Sequence, residues 1–106
     1  MIIRGTTPTI SFNIKTDLDL NEIAEVWITF KTKPGVKMKE KTYTRDDVTI
    51  SSATHEIILS LSQEDTLAFA DAPTQVQMRL RLNDGSAYAS GILETTIGRI
   101  LKDGVI

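Results

Sequence analysis

Residues 25–33, read as EVWITFKTK, alternate without a break: Val26, Ile28 and Phe30 fall on one side of an extended chain, and Glu25, Trp27, Thr29 and Lys31 on the other. A period of two is the signature of a strand with one buried face. Such a strand must be covered by a second layer and flanked by neighbours that satisfy its backbone. The spacing therefore predicts the central strand of a β-sandwich over 23–33, with the remaining apolar runs laid beside or opposite it.

In chain order, residues 9–16 alternate in the same way, with Ile10, Phe12 and Ile14 inward and Ser11, Asn13 and Lys15 outward. Pro8 suits the start of that strand, and Gly5 allows a bend between it and a short first strand over 1–4. Residues 17–21 read as a loop that drops Leu18 or Leu20 into the core. Pro34 and Gly35 close the central strand with a type II turn. The returning strand, 36–44, places Lys37, Lys39, Lys41 and Tyr43 on one face and Met38, Glu40 and Thr42 on the other. Neither face is strongly apolar, which is how an edge strand reads.

Residues 45–47 form a turn, and 48–51 and 56–61 are two short strands. Ser62 then opens a brief helix over 62–69, where its hydroxyl caps free amides and Asp65 reaches back as in a capping box. Leu67 and Phe69 are expected to fold onto the end of the sandwich. The next strand, 74–82, has Val76, Met78, Leu80 and Leu82 inward and Gln75, Gln77, Arg79 and Arg81 outward. The run 83–86, NDGS, is a hairpin turn. Its partner over 87–97 mixes its phases around Gly91, the mark of a bulge. The segment 98–106, GRILKDGVI, is more apolar than a free terminus usually is. About seven strands with one short helix between the fifth and sixth predict a single all-β domain over 1–106, an antiparallel immunoglobulin-like β-sandwich.

The chemistry of the side chains is sparse. The 106 residues include no cysteine and one histidine, so there is no thiol nucleophile, disulfide framework or thiolate metal site. His55 stands at a strand rim without a second ligand or a placed carboxylate. Glu64 and Asp65 are adjacent on a helix, diverge by about 100° and do not converge on one ion or bond. No glycine-rich phosphate loop is present. A net charge of −2 with interspersed signs gives no field for nucleic acid or acidic lipid. The lysines of 36–44 form a comb that could meet phosphates, but the acidic total and the single stacking residue Tyr43 favour the edge reading. No signal peptide or membrane span is expected, which places synthesis in the cytoplasm. These residues predict no enzyme and no cofactor.

A set of short motifs points further. Gly5-Thr6-Thr7-Pro8-Thr9 with Phe12, Leu61-Ser62-Gln63-Glu64-Asp65-Thr66-Leu67 with Phe69, Gln77-Met78-Arg79-Leu80 before Asp84-Gly85, Ala89-Ser90, and Gly98-Arg99-Ile100-Leu101 span most of the chain. Together they resemble small prophage proteins of Gram-positive bacteria, which are similar to the immunoglobulin-like N-terminal domain of phage baseplate upper proteins. The resemblance implies a part in tail or baseplate assembly in the bacterial host, with residence in the virion. The implied partners are other tail or baseplate proteins or copies of the chain itself.

On that reading the candidate contact residues are Trp27, Arg79, Arg81, Ile100, Leu101, Val105 and Ile106. Trp27 lies out of phase with the inward residues of its strand, so it is either covered by a further layer or presented at an interface. The apolar C-terminal residues gain by leaving water. The alternative is a small carbohydrate-binding module, which requires Trp27 and Tyr43 to share one flat exposed face.

Overall fold

A computed structural model describes residues 2–14, 19–32, 40–69, 73–98 and 104–106. Among the described residues nine strands form two packed sheets, and the chain is an all-β sandwich. The strands are β1 (Ile2–Ile3), β2 (Thr9–Asn13), β3 (Ile23–Thr32), β4 (Glu40–Thr44), β5 (Val48–Ser51), β6 (Glu56–Ser60), β7 (Pro73–Leu82), β8 (Ala87–Ala89) and β9 (Leu93–Gly98). The larger sheet has the order β1-β9-β7-β3-β4, with β8 also pairing β7, and the smaller has the order β2-β6-β5. One helix, α1 (Gln63–Ala68), separates β6 from β7, where the Ser62 cap placed it.

The alternating strand is central as its pattern requires. β3 lies antiparallel to β7 on one side and β4 on the other. Across the β3–β7 seam Val26 faces Leu80, Ile28 faces Met78 and Phe30 faces Val76, and all six side chains are buried. They pack against Ile57 and Leu59 from β6, both fully buried, and against the half-buried Ile10 and Phe12 from β2. A bulge between Ile23 and Glu25 shifts the start of β3.

Several boundaries differ from the expectations. The strand count is nine instead of seven, because β1 is a strand in its own right and 87–97 is two. The break follows from Ser90, whose N–H donates to the Met78 carbonyl at 2.8 Å while its hydroxyl accepts from the Met78 N–H at 3.0 Å. This local clasp holds the chain to β7 where the regular ladder stops near Gly91. The sandwich is also not purely antiparallel, since β1 runs parallel to β9, with Ile2 opposite Ile97 and Ile3 opposite Gly98. Gly5, at a φ of 79°, supplies the bend after it. The hairpin turn is as read: Gly85 has a φ of 90°, and Asp84 accepts from the Ser86 N–H at 2.8 Å.

Tyr43 is the clearest departure in the core. Its strand looked evenly polar, yet Tyr43 is buried, edge-on to Phe30 at 5.8 Å, and Phe30 in turn stacks on Phe69 at 5.3 Å. Of the two helix-end residues expected in the core, Phe69 is buried and Leu67 is only half-buried. Ser62 caps α1 by accepting from the Asp65 N–H at 3.1 Å, but the reciprocal bond from Asp65 is not formed. Leu20 is the leucine of its loop that enters the core among the described residues. The Pro34-Gly35 turn, Lys37, Met38, Lys39, Lys15 and Leu18 lie outside the described residues.

Thr66 joins the N-terminal segment to the helix. Its hydroxyl is fully buried, accepts from the Gly5 N–H at 2.9 Å and donates to the Thr6 carbonyl at 2.8 Å. Arg4 adds a guanidinium bond to the Leu67 carbonyl at 2.8 Å, a cation at a helix C-terminus where it is favoured. Replacing Thr66 by valine keeps the shape and takes the hydroxyl partner from the part-buried Gly5 amide and Thr6 carbonyl. Thr66→Val should cost about 1–3 kcal/mol in urea unfolding, with Thr66→Ser retaining most of the stability. Equal midpoints for the two variants would show that the segment is held by other contacts.

Candidate functional site

The outer face of the larger sheet is built by the residues that alternate away from the core. Trp27 sits directly opposite Thr44 on β4 and Arg79 on β7, and Arg79 sits opposite Ala89 on β8. One step along, Glu25 faces Arg81, which faces Ala87. In the other direction Thr42, Thr29 and Gln77 form the next row, with the Thr29 and Thr42 hydroxyls 3.1 Å apart. The face is thus a continuous surface of Trp, Arg, Thr and Gln across four strands.

Trp27 is 37% exposed, so the described residues do not bury it under a further layer. The neighbouring alanines of β8 are too short to shield the arginines beside them. Arg81 approaches Glu25 at 3.9 Å with both side chains about half in solvent, a pairing of little energetic weight. The Arg79 side chain is exposed, while its backbone pairs with Trp27 on β3 and Ala89 on β8. Arginine and tryptophan are the residues most enriched where proteins meet, and lysine, which is depleted there, enters only at Lys31 farther along the strand.

The C-terminal candidates divide. Ile100 and Leu101 lie outside the described residues. Val105 is 56% exposed and Ile106 is 95% exposed, far from the sheet positions of Trp27 in sequence and held at another part of the fold. The Gln63 side-chain amide donates to the Ile106 carbonyl at 3.1 Å and accepts from the Ile106 N–H at 2.8 Å. This clasp fixes the backbone of the tail on α1 and turns its side chains to solvent. Nothing in the residue pattern marks this clasp, because a lone glutamine on a helix has many uses.

The two-ring platform for a sugar is not formed. Tyr43 is buried and faces the core, whereas Trp27 is on the outer face of the next strand. Near Tyr43 there is a cleft of about 390 Å³ at the end of the sandwich, with Phe30 and Phe69 at its floor and Glu40, Lys41 and Asp65 among its lining residues. The Lys41 ammonium lies 5.3 Å from the centre of the Tyr43 ring. Residues 33–39 and 70–72, which adjoin its walls in sequence, are outside the described residues. His55 takes a left-handed turn conformation, with φ 58°, and its carbonyl accepts from the Ile14 N–H at 2.9 Å; its backbone serves the turn before β6. Among the described residues no group of three or more His, Cys, Asp or Glu is placed to hold a metal ion, and no helix is long and apolar enough to cross a membrane.

Burial pushes the Tyr43 phenol above its usual pKa, and the Asp65 charge, then contact with Asp65 and the Asp47 charge, act in the same direction. The hydroxyl makes no hydrogen bond of ordinary length and angle among the described residues, so the effect of Asp65 is chiefly one of charge. No protein-family model, curated protein or solved structure matches this chain.

Two measurements check this geometry. Because the folded pKa of Tyr43 is raised, its neutral form contributes stability that is full below about pH 10, the value for unfolded tyrosine, and is lost as the pH rises above it. In a Tyr88→Phe variant the tyrosinate absorbance should therefore rise together with the loss of far-UV circular dichroism; ionisation well before unfolding would place the phenol in water. Trp27 is the single tryptophan, and acrylamide should quench its fluorescence to a degree between those of free and fully buried indole. An unquenched, blue-shifted emission would contradict its position on the outer face.

Proposed function

We propose that this chain is a non-enzymatic structural protein of a phage or prophage, a tail or baseplate assembly component that works by protein–protein contact. The observation that carries the contact reading is the outer face of the larger sheet, where exposed Trp27 lies beside Arg79 and Arg81, with Glu25 opposite Arg81 and threonines and alanines on the flanking strands. A rigid ring flanked by two guanidinium groups is the composition of a binding hot spot. The placement in a phage tail rests on the resemblance of motifs that run from Gly5 to Leu101.

We also read the sandwich as immunoglobulin-like. In chain order, β2, β5 and β6 go to one sheet and β3, β4, β7 and β9 to the other, which is the division of strands in variable-type immunoglobulin domains. In those domains the outer surface of the larger sheet is a flat platform, and here it is the surface that bears Trp27. The mechanism is recognition without chemistry: the fold holds the platform rigid, and the partner covers the indole and pairs the arginines.

The test is made on particles. Tails purified from a phage that encodes this chain should contain it in fixed stoichiometry by quantitative mass spectrometry. Trp27→Ala, combined with Arg79→Ala, should reduce its incorporation at least about tenfold while the purified variant keeps its circular dichroism. Absence of the chain from tails, together with normal tails when its gene is deleted, would overturn the proposal.

A further inference from the structure

The smaller sheet ends at β2, and the way it ends differs from the other described edges. The Leu61 N–H donates to the Pro8 carbonyl at 3.0 Å and the Ile14 N–H donates to the His55 carbonyl at 2.9 Å. Between those bonds the register runs without a shift, Ile10 opposite Leu59 and Phe12 opposite Ile57. In an antiparallel ladder alternate residues bond the same neighbour, so Pro8, Ile10, Phe12 and Ile14 are turned to β6. The N–H and C=O groups of Thr9, Ser11 and Asn13 are turned the other way, along an edge that no strand among the described residues pairs.

Edges are commonly guarded by charge, proline, a bulge or brevity. The β4 edge has Glu40 and Lys41, and β5 is a four-residue strand. β2 is five residues with no charge, no bulge and no proline inside it. Beside it the two sheets part to leave a groove of about 340 Å³, lined by Ile10 and Phe12 on one side and Phe30, Val76 and Leu93 on the other. Leu93 is 58% exposed. The opposite side of the sandwich is crossed by the turn Arg45–Asp47, which joins β4 directly to β5.

We propose that the β2 edge is the contact through which two copies of this chain associate, antiparallel about a two-fold axis at Ser11. That register is selected by the sequence of the strand. It sets Thr9 opposite Asn13 and Ser11 opposite its own copy, each pair exchanging N–H and C=O groups that no described strand pairs. It also sets Ile10 opposite Phe12 in both directions, in the closely spaced type of pair, so that the two half-buried apolar residues of each copy cover one another over the groove. A shift by two residues would leave apolar and polar residues of the strand without matching partners at both ends. No like charges meet along the strand, and charge neutrality of the whole edge is what permits a copy to be its own partner. The strand is short and the flanking apolar side chains are few, so the contact falls at the small end of the range for specific interfaces and the dimer is weak. This inference does not depend on a role in phage tails.

The experiment is sedimentation velocity over a concentration series from micromolar to millimolar. The mass should rise reversibly from that of one 11.7 kDa chain towards two. Ser11→Lys places like charges opposite each other at the axis without removing a bond to β6, and should weaken association at least about tenfold. Thr49→Lys, exposed on β5 and outside both this edge and the outer face, should leave it unchanged. As the chain has no cysteine, Ser11→Cys gives a positive readout that does not rely on loss: paired Cα atoms about 5.5 Å apart are within disulfide range. Under mild oxidant it should cross-link to a dimer much faster than Thr49→Cys. A monomer throughout the series, equal association by Ser11→Lys and the native chain, or equal cross-linking of the two cysteine variants would each overturn the proposal. Association of the native chain that Trp27→Ala abolishes and Ser11→Lys does not would overturn the proposal and assign the contact to the outer face instead.

Discussion

Everything in this sandwich is referred to the seam between β3 and β7. Ten residues on each strand run antiparallel, and from Val26 to Phe30 and from Val76 to Leu82 every second position drives a large apolar side chain into the same layer. The two strands form a rigid bar because their backbones satisfy one another while their inner side chains share one core. Remove the buried layer of Val26, Ile28 and Phe30, and there is nothing for β6 and β2 to pack upon. The outer side of the same bar inherits its regularity. Because inner and outer residues alternate strictly, fixing the core also fixes Trp27 beside Arg79 and Glu25 beside Arg81.

The fold was legible in the sequence where a strand has one wet and one dry face. β3 and β7 could be read almost to the residue, as could the Ser62 cap and the Asp84-Gly85 turn, because each depends on a rule local to a few positions. Legibility failed where a residue is defined by something distant. Tyr43 sits in a strand of lysines and threonines, and only the rings of Phe30 and Phe69 on other elements explain its burial. Thr66 is defined by the N-terminal segment that crosses it, some sixty residues away in the chain. β1 was a guess from two isoleucines, and its parallel pairing with β9 joins residues at opposite ends of the described chain.

The surface was harder to read than the core. Trp27 was conspicuous because it broke the phase of its strand, yet phase alone does not say whether a further layer covers it. The β2 edge gave no signal, since a neutral strand with two inward apolar residues reads the same at the middle of a sheet as at its border. Edge status belongs to the topology, which here comes from non-local pairing. A free border and an open seam between layers are properties of what is missing beside a strand, and composition has no record of that.

The parallel pair formed by β1 and β9 has a mechanical consequence. Ile2 and Ile3 lie beside Ile97 and Gly98 with the two strands running the same way, and the Arg4 N–H adds a bond to the Gly98 carbonyl at 3.0 Å. Tension applied between Ile2 and Gly98 pulls these neighbours in opposite directions along their lengths. The bonds between them are then loaded together in shear, whereas the bonds of a hairpin pulled at its open end break one after another. Thr66 and Arg4 brace the same segment against α1, so slippage of the strand must break the side-chain contacts at the same moment. The domain is therefore built to transmit an axial load through its first and last strands without opening its core.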